Sequence, residues 1–321
     1  SDWSSDVCSS DLRQPMTNIQ LPSGIQVFER GWLSSNNILF LGSASSALVD
    51  SGYSTHAEQT TELVGAALQR RPLDLLLNTH LHSDHCGGNA ALQRSYPELQ
   101  TLIPPGQAPL VSSWDPVALN YAPSGQHCPR FKLDGLLSPG TEIKLADTAW
   151  QIHAAPGHDP HSVILFEPRS QTLISADALW EKGFGVVFPE LDGETAFDEV
   201  AATFDLIERL DPRWVIPGHG PVFGYRTEVL AKARERLNAF VKSPERHAHH
   251  AVKVLLKFKL LDQQQMPFAE FVEWAANTSY FQLIHQRFVP SVPIDQWMEQ
   301  LTQELVRSAV ARREGDMVYN A

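Results

Sequence analysis

The sequence predicts an α/β protein in which two mixed β layers are flanked by helices and followed by a helical extension. Short segments rich in β-branched and aromatic residues alternate with helical segments over residues 25–217. Histidine-bearing loops come directly after three of the apolar segments. From residue 227 onward the pattern becomes helical and is interrupted by prolines. Together these observations favour one large domain with an appended helical part.

The first half opens with three short β segments, IQVFERG, NILFLG and SALVD, separated by Ser, Asn and Gly. Such spacing is typical of an antiparallel start. Apolar or small residues then recur at helical spacing up to Gln69, and Pro72 follows where a helix would end. An almost wholly apolar strand runs directly into THLHSDHCGG. The predicted strands are 25–31, 37–42, 46–50, 73–78 and 101–103, and the predicted helices are 55–69 and 89–95.

The second half repeats this organisation after a long irregular segment, residues 104–135, of the kind that is commonly functional. Strands are predicted at 142–145, 150–154, 163–167, 172–175 and 214–217, with a helix at 197–210. Helices are predicted in the extension at 230–241, 248–261, 268–277 and 294–312. We therefore divide the chain into a catalytic domain, residues 13–225, and an extension, residues 226–321.

The opening twelve residues, SDWSSDVCSSDL, differ from the rest of the chain. They show no hydrophobic period, and the run DWSSDVCSSDL resembles the in-frame translation of a sequencing-library adapter. We interpret residues 1–12 as a non-native leader, the alternative being a natural tail, and exclude them from the fold prediction.

The composition of the chain argues against several classes of protein. The formal net charge of −12 opposes nucleic-acid binding, which needs a basic surface. Cys8, Cys86 and Cys128 are too few for a disulfide framework. No apolar run is long enough for a membrane helix, and the start lacks a secretory pattern. We expect a cytoplasmic protein with a small-molecule substrate and no nucleic-acid or membrane partner.

Four side chains able to bind metals lie within six residues, where a predicted strand ends. His80, His82, Asp84 and His85 provide imidazole and carboxylate ligands, which suit zinc and its first-row neighbours. Gly87–Gly88 allows the backbone to turn tightly beside such a site. One histidine here would be an ordinary core residue, but four such groups together predict a metal site.

This arrangement resembles the metallo-β-lactamase superfamily, whose signature is a strand ending in HxHxDH. The later residues of that family's pattern match His158 in APGHD, Asp177 in ISAD and His219 in IPGHG. The resemblance covers residues 20–225 and is specific for the superfamily rather than for a substrate. It implies a four-layer αββα sandwich, to which the helical extension is added.

The resemblance also implies how two metal ions are held. One ion would be bound by three histidines, the other by two histidines and an aspartate, and a further aspartate would bridge both. The ligands of the first ion would be His80, His82 and His158. Those of the second would be Asp84, His85 and His219, and Asp177 would be the bridging residue. Two ions about 3.5–4 Å apart acidify a bound water to a pKa of about 7 and polarise the bond to be broken. Asp84 and Asp177 are the predicted catalytic residues, and zinc is the expected metal, with iron or manganese as alternatives.

Other residues have two interpretations each. Asp50 resembles the family's acid that orients a ligand histidine, or it begins a turn. His161 and Trp180 line the substrate pocket, or they are a loop histidine and a packed aromatic. Cys86 is predicted to be a small buried side chain.

Further aromatic residues are placed where they could touch an apolar part of the substrate or pack in the core: Phe184, Phe188, Trp114 and Tyr121. Three histidines of the extension are interpreted as a solvated helix start: His247, His249 and His250.

The predicted activity is hydrolysis of an ester-like bond, thioester or lactone included, by a metal-bound hydroxide. Glyoxalase II-type thioesterases share the histidine pattern and carry C-terminal helices. The alternatives are a β-lactam or phosphodiester hydrolase of the same fold, a sulfur dioxygenase with one iron, and a non-catalytic metal-binding sensor. The helical extension is a surface on which a homodimer could form.

Overall fold

The computed structural model describes residues 19–321. The leader predicted at residues 1–12, with Cys8, lies outside the described residues. The described chain forms two compact units, of which the first runs to Tyr121 and continues over Gln126–Leu237. The second contains Ala122–Gly125 and Asn238–Ala321.

The first unit contains two six-stranded sheets. In the first sheet β1–β3 are antiparallel, whereas β3–β6 are parallel. Its strands, in spatial order, are β1 (Ile25–Phe28), β2 (Asn37–Leu41), β3 (Ser46–Val49), β4 (Leu75–Leu77), β5 (Gln100–Ile103) and β6 (Gly135–Leu136). The sequence therefore predicted its antiparallel start and its buried central strand correctly.

The second sheet is antiparallel except for one parallel pair, β10 with β11. Its strands, in spatial order, are β12 (Phe223–Gly224), β11 (Trp214–Pro217), β10 (Thr172–Ala176), β9 (Val163–Glu167), β8 (Thr148–Ala154) and β7 (Glu142–Leu145). Four of these, β7, β9, β10 and β11, lie within one residue of their predicted ends.

The core lies between the two sheets and beneath the helices, as the alternation of side chains along a strand requires. Ile38 and Phe40 pack toward the second sheet, where Trp150 is fully buried. Leu39 lies between these two residues, so its side chain points to the other face of the sheet. There it packs in the cluster that contains Val64, from the helix Ala57–Leu68. The helices of this unit are α1 (Ala57–Leu68), α2 (Ser83–Cys86), α3 (Asn89–Ser95), α4 (Ala108–Ser113), α5 (Phe188–Asp192), α6 (Phe197–Leu210) and the part of α7 (Thr227–Lys242) up to Leu237. The α/β sandwich predicted from the sequence is confirmed.

The second unit combines helices with a small sheet. Its helices are α8 (Pro244–Gln263), α9 (Phe268–Asn277), α10 (Ser279–Phe288) and α11 (Ile294–Arg307). Its strands, in spatial order, are β13 (Gln265–Pro267), β15 (Met317–Asn320) and β14 (Ala311–Glu314). Among residues 19–321, no helix is both long enough and apolar enough to cross a membrane.

Two sequence interpretations of the extension are wrong. The helix predicted at 294–312 ends at Arg307, because Ala309 adopts a left-handed backbone conformation (φ 57°) and the chain continues as β14. His247 is buried against Phe240 rather than solvated, since it lies on the inner face of α8. His249 instead contacts Glu304 (2.7 Å) on α11.

Candidate metal centre

All the metal-competent residues singled out in the first unit lie where a strand ends, at one edge of the two sheets. The chain leaves β4 at Leu77 and enters the loop and short helix α2 that carry the HxHxDH residues. The remaining three residues follow the ends of β8, β10 and β11: His158, Asp177 and His219. Strand ends are held rigidly by the sheet ladders, so the side chains they carry are well positioned.

Three histidines place ligand nitrogens around one point. His82 Nδ1 lies 3.1 Å from His80 Nε2 and 2.8 Å from His158 Nε2. Burial, reinforced by His85, lowers the pKa of His80 well below its usual value. Burial and the neighbouring His158 lower the pKa of His82 to about 3. His80 and His82 therefore stay neutral at physiological pH, which is the form that binds a metal ion.

Two carboxylates and two histidines form an adjoining second set: Asp84, His85, Asp177 and His219. His219 Nε2 lies 3.1 Å from Asp84 Oδ2, and His85 Nε2 lies 3.5 Å from Asp177 Oδ1. The second oxygen of Asp177 lies 3.4 Å from His158 Nε2, so this carboxylate faces both sets. Burial acts to raise the pKa of Asp177, but His85 and His219 hold it well below its usual value. The residue is therefore an anion between the two sets.

Asp50 connects the two sets through hydrogen bonds. Its Oδ2 accepts from His85 Nδ1 (2.7 Å) and from the Thr79 hydroxyl (2.8 Å), while its Oδ1 accepts from the Thr79 backbone N–H (2.9 Å). Because the Thr79 hydroxyl proton goes to Asp50, its oxygen accepts from His80 Nδ1 (3.1 Å). Asp50 thus fixes His85 directly and His80 through Thr79, leaving Nε2 of each ring for a metal.

Backbone carbonyls fix two further rings. His158 Nδ1 donates to Val186 O (2.5 Å), and His219 Nδ1 donates to Gly31 O (3.1 Å). Since a carbonyl only accepts, both histidines carry a proton on Nδ1, which leaves Nε2 of each as the nitrogen that a metal ion would take. In His219 this Nε2 lies 3.1 Å from Asp84 Oδ2. Gly185 makes the first contact possible, because a Cβ there would lie 2.3 Å from His158 Nδ1.

The loop of His219 is held by the segment between β1 and β2. The Asn36 side chain donates to Pro217 O (3.0 Å) and Gly220 O (2.7 Å), and its backbone N–H donates to Gly218 O (2.6 Å). The neighbouring Ser35 N–H donates to Asp84 O (2.9 Å). One short segment therefore ties the His219 loop to helix α2.

These residues fit divalent cations. His85 Nε2 is buried and has no hydrogen-bond partner, although carboxylate oxygens of Asp84 and Asp177 lie 3.9 and 3.5 Å away. A buried nitrogen without a partner is costly unless a ligand satisfies it. A cation would satisfy His85 and also separate the facing lone pairs of His80 and His158.

The structure brings all seven predicted ligand residues together in the two sets, and it places the other predicted site residues in different surroundings. Trp180 is half-exposed and its Nε1 donates to Asp177 Oδ1 (3.2 Å). His161 is exposed, with its ring against Gly106 and its N–H on Asp159. Phe184 is buried against Phe204.

The irregular segment packs behind the ligands. Cys86 is fully buried, with its Sγ 3.2 Å from the Tyr121 hydroxyl and 3.7 Å from Cys128 Sγ. Trp114 packs against Tyr121 and Phe131. Cys86 is therefore a buried packing residue, as the sequence predicted, and Trp114 and Tyr121 belong to this apolar cluster.

Sequence reasoning missed several residues that contact the ligands. Trp32 stacks on His219, and Thr79 and Val186 orient His80 and His158. Asp159 is buried, with its Oδ2 3.9 Å from His82 Nε2. Only Asp159 had a usable signal, since an acid directly follows a predicted ligand. The others act through the backbone or from distant segments.

Three comparisons with known proteins bear on this arrangement. The family model described as metallo-beta-lactamase superfamily matches residues 30–219. A hydroxyacylglutathione hydrolase of Anaeromyxobacter dehalogenans (strain 2CP-C) is 28% identical over 162 residues, which are 50% of this chain and 52% of that protein. The chain thus matches about half the length of this curated relative.

Solved structures share the fold. A metallo-beta-lactamase family protein from Thermus thermophilus has a TM-score of 0.53 at 18% identity, covering 94% of this chain and 100% of that one. The subclass B3 metallo-beta-lactamase BJP-1 of Bradyrhizobium japonicum has a TM-score of 0.53 at 19% identity, covering 73% and 95%. At these identities the likeness concerns the fold alone.

Proposed function

Since this chain belongs to the metallo-β-lactamase superfamily of metallo-hydrolases, we propose that it hydrolyses an ester-like bond, a thioester or a lactone, with two divalent ions. The observation that carries this proposal is the position of Asp177. Its Oδ1 lies 3.5 Å from His85 Nε2 and its Oδ2 lies 3.4 Å from His158 Nε2. One carboxylate therefore faces both ligand sets, as a bridging ligand must.

The donor set supports zinc as the metal. Three imidazoles on one side, and two imidazoles with carboxylates on the other, are borderline ligands that suit zinc and also iron or manganese. When bound, such ions supply Lewis acidity and lower the pKa of a coordinated water to about 7. A nucleophile would then exist at neutral pH without a serine or cysteine.

The chain's own residues supply orientation and charge. Asp50 and the carbonyls of Val186 and Gly31 fix the rings, so that Nε2 of each points into the site. The Asp84 side chain is 14% exposed, which makes it the more accessible of the two carboxylates in the second set, Asp84 and Asp177. We propose that it orients the attacking water by accepting a hydrogen bond from it.

Charge and sequence similarity support an ester-like substrate. The relative with 28% identity is named hydroxyacylglutathione hydrolase, a thioester-cleaving activity that would carry over only as a substrate class. The net charge of −12 opposes a polyanionic phosphodiester substrate. A β-lactam hydrolase remains the second candidate, because solved structures of that activity share the fold.

A substrate panel tests this proposal. Protein stripped of metal and reloaded with zinc, iron or manganese would be offered thioesters, lactones, nitrocefin and bis-p-nitrophenyl phosphate, with metal content measured alongside. We expect close to two ions per chain and the highest kcat/KM on a thioester or lactone, lost on chelation and regained with metal. Full activity in metal-free protein would overturn the metal-dependent mechanism, and a clear preference for nitrocefin or the phosphodiester would overturn the substrate class.

A further inference from the structure

Two tryptophans form a corner beside the second ligand set. The Trp32 indole stacks on the His219 imidazole, with centroids 5.4 Å apart and planes 9° from parallel. Trp180 meets Trp32 edge-on at 5.2 Å and meets His219 edge-on at 5.6 Å. We call Trp32 and Trp180 the indole corner. It lies directly against a residue that we assign as a metal ligand.

The corner keeps apolar surface open next to a closed site. His219 is 4% exposed, whereas Trp32 and Trp180 are both half-exposed. Trp150 (0%) and Trp214 (6%) are enclosed in the core, whereas Trp114 packs against aromatic neighbours and is half-exposed as well. Trp32 and Trp180 differ from Trp114 in that both rings also contact His219. Large half-exposed aromatic rings next to buried polar groups are typical of ligand contacts.

Hydrogen bonds hold the corner in place before any substrate arrives. The Trp180 N–H donates to Gly183 O (2.7 Å), and its indole Nε1 donates to Asp177 Oδ1 (3.2 Å). Because the polar atom of this indole is already used, Trp180 offers the substrate an apolar surface. Trp32 lies in the segment that Asn36 and Ser35 anchor to the His219 loop and to helix α2. A rigid apolar wall binds a flat group at low entropic cost.

The three-histidine set has a different aromatic neighbour. Phe188 meets His82 edge-on at 4.9 Å and His158 at 5.7 Å, so a single phenyl ring flanks the three-histidine set. A substrate whose reacting group lies between the sets would therefore have two indoles beside His219 and one phenyl ring beside His82 and His158.

We propose that the indole corner binds an aromatic or similarly flat apolar group attached next to the bond that is hydrolysed. The inference rests on the proposed function, which it deepens by naming the substrate class: aryl-bearing or arylalkyl-bearing thioesters and esters. The group would stack on Trp32 and meet the face that Trp180 presents, while the reacting carbonyl lies between the ligand sets.

Matched substrates test the corner through selectivity. S-ethyl thioacetate would be compared with two ring-bearing thioesters. The S-ethyl thioester of phenylacetic acid changes the acyl group, and S-benzyl thioacetate changes the thiol. We expect at least one of the two ring-bearing thioesters to have a higher kcat/KM than S-ethyl thioacetate. Trp32→Ala should reduce that preference about tenfold or more, since the fit of even one methylene in an apolar pocket changes selectivity by about 10–200-fold.

Two variants make the comparison decisive. Trp114→Ala removes an indole of the same size that packs against Tyr121 and Phe131, and it should leave the selectivity ratio as in the parent protein. Phe188→Ala reports on the aromatic ring beside the three-histidine set. Loss of the preference in Phe188→Ala with its retention in Trp32→Ala would overturn the assignment, and so would the absence of any preference for ring-bearing esters.

A binding measurement separates this inference from the proposed function. Calorimetric titration of the zinc-loaded protein with phenylacetate and acetate, and with benzyl mercaptan and ethanethiol, needs no turnover. We expect one ring-bearing ligand to bind at least tenfold more tightly than its small partner, with the difference reduced in Trp32→Ala. Equal affinities within both pairs would overturn the corner even in an active enzyme. Tighter ring binding without hydrolysis of any ester would support the corner and overturn the proposed reaction.

Discussion

Asp50 is the residue on which the orientation of two ligand histidines depends. Its carboxylate accepts from His85 Nδ1 and from both donors of Thr79, which in turn holds His80. Asp50→Asn keeps the shape but replaces one accepting oxygen with an amide group that only donates. We expect metal affinity to fall about 10–100-fold, the usual effect of losing such a partner. Competition with a chromophoric chelator measures it.

A matched aspartate provides the control for that prediction. Asp147 is exposed and accepts two hydrogen bonds from Ser43, in the turn before β8, whereas the ligand His158 follows the other end of that strand. Asp147→Asn should bind metal as the parent protein does. Equal metal affinity in Asp50→Asn and Asp147→Asn would show that Asp50 does not position the ligands.

Asp84 can be tested separately from the fold. Asp84→Asn removes the charge that faces His219 at 3.1 Å while keeping the size of the side chain. We expect metal content to fall toward one ion per chain and kcat to fall about 10²–10³-fold, as when one preorganised electrostatic group is lost. Cys86→Ala, two residues further on, should keep both ions, since its thiol contacts Tyr121 and Cys128 rather than the ligand atoms. Parent-like rates in Asp84→Asn, or metal loss in Cys86→Ala, would contradict these assignments.

At the scale of residues, the sequence predicted the groups that share a motif and missed those that act across the fold. His80, His82, Asp84 and His85 are adjacent in the chain, so their chemistry was visible without a structure. Trp32 lies far along the chain from His219, and no spacing rule connects them. Val186 acts through its carbonyl, which every residue possesses. Contacts made by the backbone, or between distant segments, leave no local pattern.

At the scale of elements, the loop between β10 and α5 positions ligands from two strands. Gly185 N–H donates to Asp177 O (2.9 Å), Val186 O accepts from His158, and Phe188 N–H donates to His158 O (3.3 Å). Gly185→Ala would place a Cβ 2.3 Å from His158 Nδ1 and force the ring or the loop to move. Because a displacement of about 1 Å in a catalytic group costs about 10²-fold in rate, we expect a loss of that size together with weaker metal binding.

Helix α1 offers the control for this loop. A Cβ on Gly65 would have only the Tyr96 hydroxyl nearby, at 3.6 Å. Gly65→Ala should therefore keep full activity and stabilise the fold by about 0.4–1 kcal/mol, because alanine restricts the unfolded chain. Kinetics and melting curves of the two variants, measured in parallel, check both expectations. Full activity in Gly185→Ala would show that the loop tolerates the displacement.

Strands and helices of the first unit were predictable because their side chains face two different environments with a regular period. The helix α6 begins and ends as predicted, since one face carries Val200, Phe204 and Ile207 into the core. The small sheet of the second unit gave no comparable signal. Strand β13 has three residues, one of them Pro267, and β14 continues a helix-like pattern after Arg307. Short strands stabilised by pairing across the chain are invisible to periodicity.

At the scale of the whole molecule, the apolar core supports the fold, and the buried ligand residues lower its stability when no ion is bound to them. Apolar clusters between the sheets and beneath α1 and α3 do not include the ligands. The ligands are nevertheless buried, with His80 and His85 fully enclosed and Asp177 5% exposed. Without ions the fold must hold the closely spaced nitrogens of His80, His82 and His158 together with a buried, unpartnered His85 Nε2. Such groups are unfavourable unless paired.

Metal removal should therefore lower stability without unfolding the protein. An ion that binds only the folded state stabilises it by about 4 kcal/mol when its free concentration is a thousandfold above Kd. For a domain of 150–250 residues this corresponds to about 8–16 °C in Tm. Differential scanning calorimetry of the full chain with chelator, and again after adding zinc, measures the shift. The Asp50→Asn protein should show a smaller rise in Tm at the same zinc concentration, because weaker binding reduces the stabilisation. Identical melting curves with and without bound metal would contradict the assignment of these seven residues as ligands.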